Sequence, residues 1–245
     1  DAFYTKVGGY DGSWQSTVTM DDPLLDHGFG NFTYPEVGGN LNGVAFSVWR
    51  GGANYTIDRI YGSRYTDSTG WETPEEIIGI DGALDPVIAV DINGNAFAAW
   101  SNSSNSRIYV RYYDSSSGWD TSDYYSASIS SGVRPAVAAD LEGNAMAAFR
   151  GSSGYAYAAL FDESSGSWQV TEQQLTTSSS VASMDIAFDR DGNAIAVWSS
   201  SGDVYANYYN GSCWYNSNGV DIGTGSDAKI AIAGDGQAYV VFVTG

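Results

Sequence analysis

Pro86-Val-Ile-Ala-Val-Asp-Ile-Asn-Gly-Asn-Ala-Phe-Ala-Ala-Trp100 is a stretch that this chain writes again and again. It returns as Pro135-Ala-Val-Ala-Ala-Asp-Leu-Glu-Gly-Asn-Ala-Met-Ala-Ala-Phe149 and as Met184-Asp-Ile-Ala-Phe-Asp-Arg-Asp-Gly-Asn-Ala-Ile-Ala-Val-Trp198. Weaker copies run from Pro35 to Trp49 and from Ala228 to Phe242. Each copy reads as an apolar strand, a tight turn carrying Gly, and a second strand of small and aromatic residues. Such a period marks a repeat architecture, and it decides the fold before any single residue does.

Working outward, each copy is followed by a second pair of strand signals. Ile108-Tyr-Val-Arg-Tyr112 precedes Gly118-Trp119, Ala156–Leu160 precedes Trp168, Val204–Tyr208 precedes Trp214, and Ile60-Tyr61 precedes Trp71. A complete unit therefore has four strands. The last unit has two, and the missing outer pair matches Phe3-Tyr-Thr-Lys-Val7 and Gly12-Ser-Trp14 at the N-terminus. The turn glycines Gly43, Gly94, Gly143, Gly192 and Gly236 are 51, 49, 49 and 44 residues apart, and the interval through the two termini is 52. This closes a circle. The expected fold is one all-β domain over residues 1–245: a five-bladed β-propeller of four-stranded antiparallel blades, the last blade closed by the N-terminal strands. Closure should place Phe3–Val7 alongside Tyr239–Val243 and remove two free sheet edges.

The pattern Ile88-Ala-Val-Asp-Ile-Asn-Gly-Asn95 resembles the NHL-type repeat, a propeller family. The likeness implies a propeller and a binding role rather than catalysis. It specifies only the hairpin, because the family usually has Asp where this chain has Trp49, Trp100, Phe149, Trp198 and Phe242. No functional residue carries over. Blade count alone gives a looser similarity to five-bladed lectin propellers.

Composition narrows the partners. Ten Lys+Arg stand against twenty-nine Asp+Glu, a net charge of −19. Such a surface repels nucleic acid and anionic membrane, and no segment approaches eighteen consecutive apolar residues. The Ser, Thr, Asn, Gly and Tyr content, with Asp1 in place of Met, suggests an exported protein, secreted or held at the cell surface. Cys213 is the only cysteine, so no internal disulfide forms, and the usual fate of such a residue is burial. Sequons occur at Asn31, Asn54, Asn102 and Asn210.

Chemical motifs are sparse. Asp189-Arg-Asp-Gly-Asn193 and its copies have oxygen atoms two residues apart, as a calcium loop begins, but lack the distal glutamate. A hairpin turn explains them better: Asp accepts from backbone N–H groups ahead of it, and Gly takes the left-handed conformation. The eight Trp fall in two repeated slots, which points to packing between blades rather than to sugar platforms. His27 is the only histidine, and there is no nucleophile elbow. No catalytic residue, metal ligand or cofactor is therefore expected. Asp85 and Asp227, each just before a first strand, are the carboxylates a glycosidase would need.

Departures from the repeat point to a site. Trp14 to Gly43 takes 29 residues where the other units take 22 to 24, and Trp49 to Tyr61 takes 12 where the others take 7 to 9. The added loops, residues 21–34 and 50–59, should share one face, and long loops on a rigid scaffold tend to carry function. They hold His27, Phe29, Asn31, Tyr34, Arg50, Asn54, Tyr55 and Asp58. On the same face each inner strand starts at Tyr34, Asp85, Arg134, Ser183 or Asp227, with Arg50, Arg134 and Arg150 as cationic exceptions. The expected ligand site is Tyr34, Arg50, Asn54, Tyr55, Asp58, Asp85 and Arg134, with Tyr34 and Tyr55 stacking and the rest hydrogen-bonding. The expected function is non-catalytic recognition of a glycan or other surface ligand. Two alternatives are a structural or adhesion protein binding other proteins or itself, and a carboxylate-based glycosidase.

Overall fold

The computed structural model describes Tyr4–Thr5, Val18–Thr19 and residues 33–51, 58–78, 81–120, 125–126, 132–169 and 172–245. The N-terminal strands are β1 (Tyr4–Thr5) and β2 (Val18–Thr19). Sheet I has β3 (Thr33–Gly39), β4 (Ala45–Gly51) and β5 (Arg59–Thr66), with β6 (Gly70–Trp71) and β7 (Glu75–Ile78) both on the outer edge of β5. Sheet II repeats this with β8 (Ala83–Val90), β9 (Ala96–Asn102), β10 (Arg107–Asp114), β11 (Gly118–Trp119) and β12 (Tyr125–Ser126). Sheet III follows with β13 (Gly132–Ala139), β14 (Ala145–Gly151), β15 (Ala156–Asp162), β16 (Ser167–Trp168) and β17 (Gln173–Gln174). Sheet IV is β18 (Val181–Phe188), β19 (Ala194–Ser200), β20 (Asp203–Tyr209) and β21 (Val220–Thr224); sheet V is β22 (Ser226–Ile232) and β23 (Ala238–Val243). All pairings are antiparallel. The expected fourth strand is thus two short pieces in sheets I–III.

The repeated turn makes each first hairpin. Asp91 Oδ1 accepts from the N–H groups of Asn93 and Asn95, both at 2.8 Å, and Oδ2 from the Asn95 amide at 2.8 Å. Asp140 and Asp189 repeat the arrangement, and the turn glycines all have φ between +77° and +93°. Both oxygens of each Asp are spent on the turn, so the structural reading holds over the calcium one.

The two aromatic series meet across strands. Trp100 faces Tyr109 in register and stacks on it at 5.9 Å, and Trp198 stacks on Tyr205 at 6.0 Å. Trp49, Trp100 and Trp198 are fully buried, each a gain of roughly 1.5–3 kcal/mol. The other slot works between sheets. Trp119 meets Phe46 of the preceding sheet at 5.9 Å, and Trp168 meets Phe97 at 6.3 Å. Clusters of this kind join sheet I to II, II to III, III to IV and IV to V. Small residues let the sheets approach: a Cβ at Gly38 would stand 2.9 Å from the Ile88 carbonyl oxygen.

The first strand of each sheet lies against that of the next, from β3 through β8, β13 and β18 to β22. The expected closure is not seen. β1 pairs with β2 (Tyr4↔Thr19, Thr5↔Val18), as β10 pairs with β12 in sheet II, which uses one of its two edges. Among the described residues β23 pairs only with β22, and Tyr239, Val241 and Val243 are exposed.

Candidate functional site: the axial mouth

The start of four of the five inner strands is irregular in the same way. Thr33 pairs with Arg50 and Glu36 with Val48, so Tyr34 and Pro35 together oppose one residue, Trp49. The same one-residue excess places Asp85-Pro86, Arg134-Pro135 and Asp227-Ala228 in bulges. Proline suits such a position because it has no N–H to leave unpaired. The first residue of each bulge is left-handed: Tyr34 at φ 56°, Asp85 at 50°, Arg134 at 56° and Asp227 at 52°. Sheet IV differs. Its extra residue is Ala182, and Ser183, which follows it, keeps ordinary backbone while its Oγ lies 2.7 Å from Ser199 Oγ. Left-handed backbone costs an L-residue roughly 1–2 kcal/mol, less for Asp. Four side chains are held at that cost where Gly would avoid it, and such strain concentrates at functional sites.

These starts converge. Tyr34, Asp85, Arg134, Ser183 and Asp227 line one cavity of about 300 Å³, together with Glu36 and Lys229. Lys229 Nζ stands 3.9 Å from Asp185, whose Oδ2 accepts from the Ile230 N–H at 2.9 Å, tying sheet IV to sheet V. Burial raises the Asp185 carboxyl above its ordinary range, against the lowering effects of the Ile230 N–H and Lys229. The Glu36 carboxyl keeps an exposed edge but is also raised, chiefly by partial burial, with Lys229 acting the other way. Arg134 Nη1 donates to the Ala182 carbonyl of sheet IV. Among the described residues Asp85, Arg134 and Asp227 make no ion pair.

Beside the mouth, Arg50 forms a two-nitrogen contact with Asp58: Nε donates to Oδ1 at 2.8 Å, and Nη2 stands 2.7 Å from the same oxygen. The Arg50 guanidinium lies 5.9 Å from the centre of the Tyr34 ring, and Tyr34 is 56% exposed. The structure thus groups Tyr34, Arg50 and Asp58, and puts Asp85 and Arg134 on the same cavity but on different sheets. Arg134 does not pair with Asp85. Asn54 and Tyr55 lie outside the described residues, as do His27, Phe29 and Asn31. Sequence reasoning missed Glu36, Lys229 and Asp185. Strand alternation could have found them, since each lies two residues beyond a mouth residue.

Elsewhere, Cys213 is exposed, not buried, in the turn before Trp214. The sequon residue Asn102 is buried with its amide on the Asp81 carbonyl, whereas Asn210 is exposed.

No protein-family model and no curated protein sequence matches the chain. Solved structures do. The fold is a β-propeller. A fucose-specific lectin from Aleuria aurantia superposes with a TM-score of 0.59 at 15% identity, over 97% of this chain and 82% of that one. A second structure of the Aleuria aurantia lectin, described as a six-bladed β-propeller, gives 0.54 at 13% over 97% and 85%. The Hadza microbial sialidase Hz136 gives 0.56 at 13%, over 86% of this chain and 52% of that one. A GH43_1 enzyme from Xanthomonas citri, complexed with xylotriose, gives 0.50 at 12% over 85% and 80%. Identities this low establish the fold alone.

Proposed function

We propose that this propeller is a non-catalytic extracellular module that binds glycan at the axial mouth, with Tyr34, Arg50, Asp58, Asp85 and Arg134 as its contacts. The observation that carries the reading is the convergence of the strained residues Tyr34, Asp85, Arg134 and Asp227 on one cavity of monosaccharide size. A half-exposed aromatic ring supplies an apolar face for a pyranose, and unpaired carboxylates and a guanidinium supply bidentate partners for its hydroxyls. Asn54 and Tyr55, which fall between Arg50 and Asp58 in the sequence, are further proposed contacts. Lectin relatives of the fold support a sugar ligand; the enzymes among them keep catalysis open as a second reading. A glycan array on the wild type and on Tyr34→Ala tests the first. Specific binding that Tyr34→Ala abolishes supports it, and an empty array overturns it. Hydrolysis lost in both Asp85→Asn and Asp227→Asn would instead establish a glycosidase.

The ring is proposed to have five blades, with β1 completing the last one beside β23. Repeat equivalence sets the register: Tyr109 faces Trp100 and Val110 faces Ala99 in sheet II, so Tyr4 should face Phe242 and Thr5 should face Val241. With Cys213→Ser in the background, Thr5→Cys and Val241→Cys should oxidise within one chain, because facing strand residues fall within disulfide reach. A covalent dimer would favour the self-associating reading, and no bond at all would refute closure.

A further inference from the structure

The glycan reading leaves open what kind of sugar the mouth selects, and the cations of sheet III bear on that. Arg50 and Arg150 occupy the same position of the repeat: Arg50 pairs across the ladder with Thr33, next to Tyr34, and Arg150 with Val133, next to Arg134. In sheet I the guanidinium is neutralised by Asp58, the residue just before Arg59, which faces Gly51. The corresponding residue of sheet III is Gly154, just before Tyr155, whose carbonyl accepts from Gly151 N–H. No side chain fits there. Gly154 has φ +84°, and a Cβ on it would collide with the Ser179 carbonyl. Backbone packing has therefore removed the counter-ion, and it has done so where the neighbouring mouth residue is a second arginine.

The result is two arginines at the sheet III bulge, neither ion-paired among the described residues, in a chain of net charge −19. Among the described residues Arg150 Nε is buried with no hydrogen-bond partner, and Arg134 donates to the Ala182 carbonyl. That bond draws the Arg134 guanidinium toward sheet IV, whose contribution to the mouth is the uncharged Ser183, and away from Asp85 on sheet II. The mouth thus carries Glu36, Asp85 and Asp227 from sheets I, II and V, Lys229 set beside Asp185, and on sheet III the cation Arg134, which pairs with no carboxylate among the described residues. Guanidinium groups match planar carboxylates through paired N–H donors.

We propose that the sheet III side of the mouth is a subsite for the carboxylate of an acidic saccharide, held by Arg134, with Arg150 on the facing strand adding to the local positive charge, while Asp85 and Asp227 take the sugar hydroxyls. This rests on the glycan-binding reading. The test compares matched ligands in 0.15 M salt, where charges beyond about 8 Å are screened. Oligogalacturonate is set against its methyl ester, and sialyllactose against lactose, so the arms separate a uronic acid from a nonulosonic acid. At least one acidic ligand should bind about ten- to a hundredfold more tightly than its neutral counterpart, as expected for one charge-assisted pair. Arg134→Gly should erase the preference, and because Gly accepts left-handed backbone without strain, the loss cannot be charged to misfolding. Arg150→Met should reduce it. Equal or tighter binding of the neutral partner, or a preference that survives Arg134→Gly, overturns the inference and leaves glycan binding standing. Failure of every sugar, acidic and neutral, overturns both.

Discussion

The bulge residues make a quantitative prediction, because four are left-handed and the fifth equivalent is not. Replacing a left-handed L-residue by Gly releases roughly 1–2 kcal/mol of backbone strain, and Gly gives back roughly 0.5–1 kcal/mol through the entropy of the unfolded chain. Arg134→Gly, at φ 56° and with one printed hydrogen bond to lose, should therefore fall between neutral and about 1 kcal/mol stabilising. Asp85→Gly and Asp227→Gly should sit near zero, since Asp tolerates this region better. Ser183→Gly has no strain to release. It adds unfolded-state entropy and loses the hydroxyl contact with Ser199, so it should cost about 1–2 kcal/mol. The contrast between Arg134→Gly and Ser183→Gly is then about 1–3 kcal/mol, read as opposite shifts of the urea midpoint at unchanged slope. Equal destabilisation by all four substitutions would refute the claim that strain is stored at the mouth.

Three further outcomes follow from the packing and charges. Asp140→Ala removes a buried carboxylate and leaves two backbone N–H groups and the Asn144 amide of a partly exposed turn without their acceptor, and should cost about 1–3 kcal/mol in denaturant unfolding. Trp100→Ala, fully buried between sheets I and II, should cost about 3–5 kcal/mol by the same assay, and more than Trp119→Ala at a half-buried site. The Asp185 carboxyl is raised by burial, so its ionised form works against folding once the pH exceeds the unfolded value near 3.9. Asp185→Asn keeps an acceptor for Ile230 N–H and should raise the melting temperature at pH 7, with the gain shrinking to nothing as pH falls below about 4. A gain that persists in acid would contradict that assignment.

What the sequence discloses and what it conceals divide along the range of the interactions. The Asp-x-x-Gly-Asn turn is legible because its hydrogen bonds run two and four residues along the chain, and its Gly needs positive φ. The aromatic slots are legible for the same reason: facing strands repeat a fixed register, so Trp100 and Tyr109 recur together as Trp198 and Tyr205. The expected latch between β1 and β23 was a different kind of inference. It came from counting units around a circle, with no local contact behind it; β1 pairs with β2 as β10 pairs with β12, and among the described residues neither reaches β23.

The mouth shows the limit more sharply. Tyr, Asp and Arg carry no common signal for left-handed backbone, so the strain at Tyr34, Asp85, Arg134 and Asp227 is invisible residue by residue. A faint trace exists in Pro35, Pro86 and Pro135, each the second residue of its bulge, where a missing N–H does no harm. Convergence itself comes from the successive packing of inner strands β3, β8, β13, β18 and β22 and needs every sheet in place. Arg50 finds Asp58 eight residues away, a partner that sequence alone could suggest. Arg150 has no equivalent of Asp58 because the Ser179 carbonyl, from a loop twenty-five residues past Gly154, fills the space a side chain would need. The charge left over at the mouth is therefore written in a backbone contact, and a reading confined to residue types would have balanced it away.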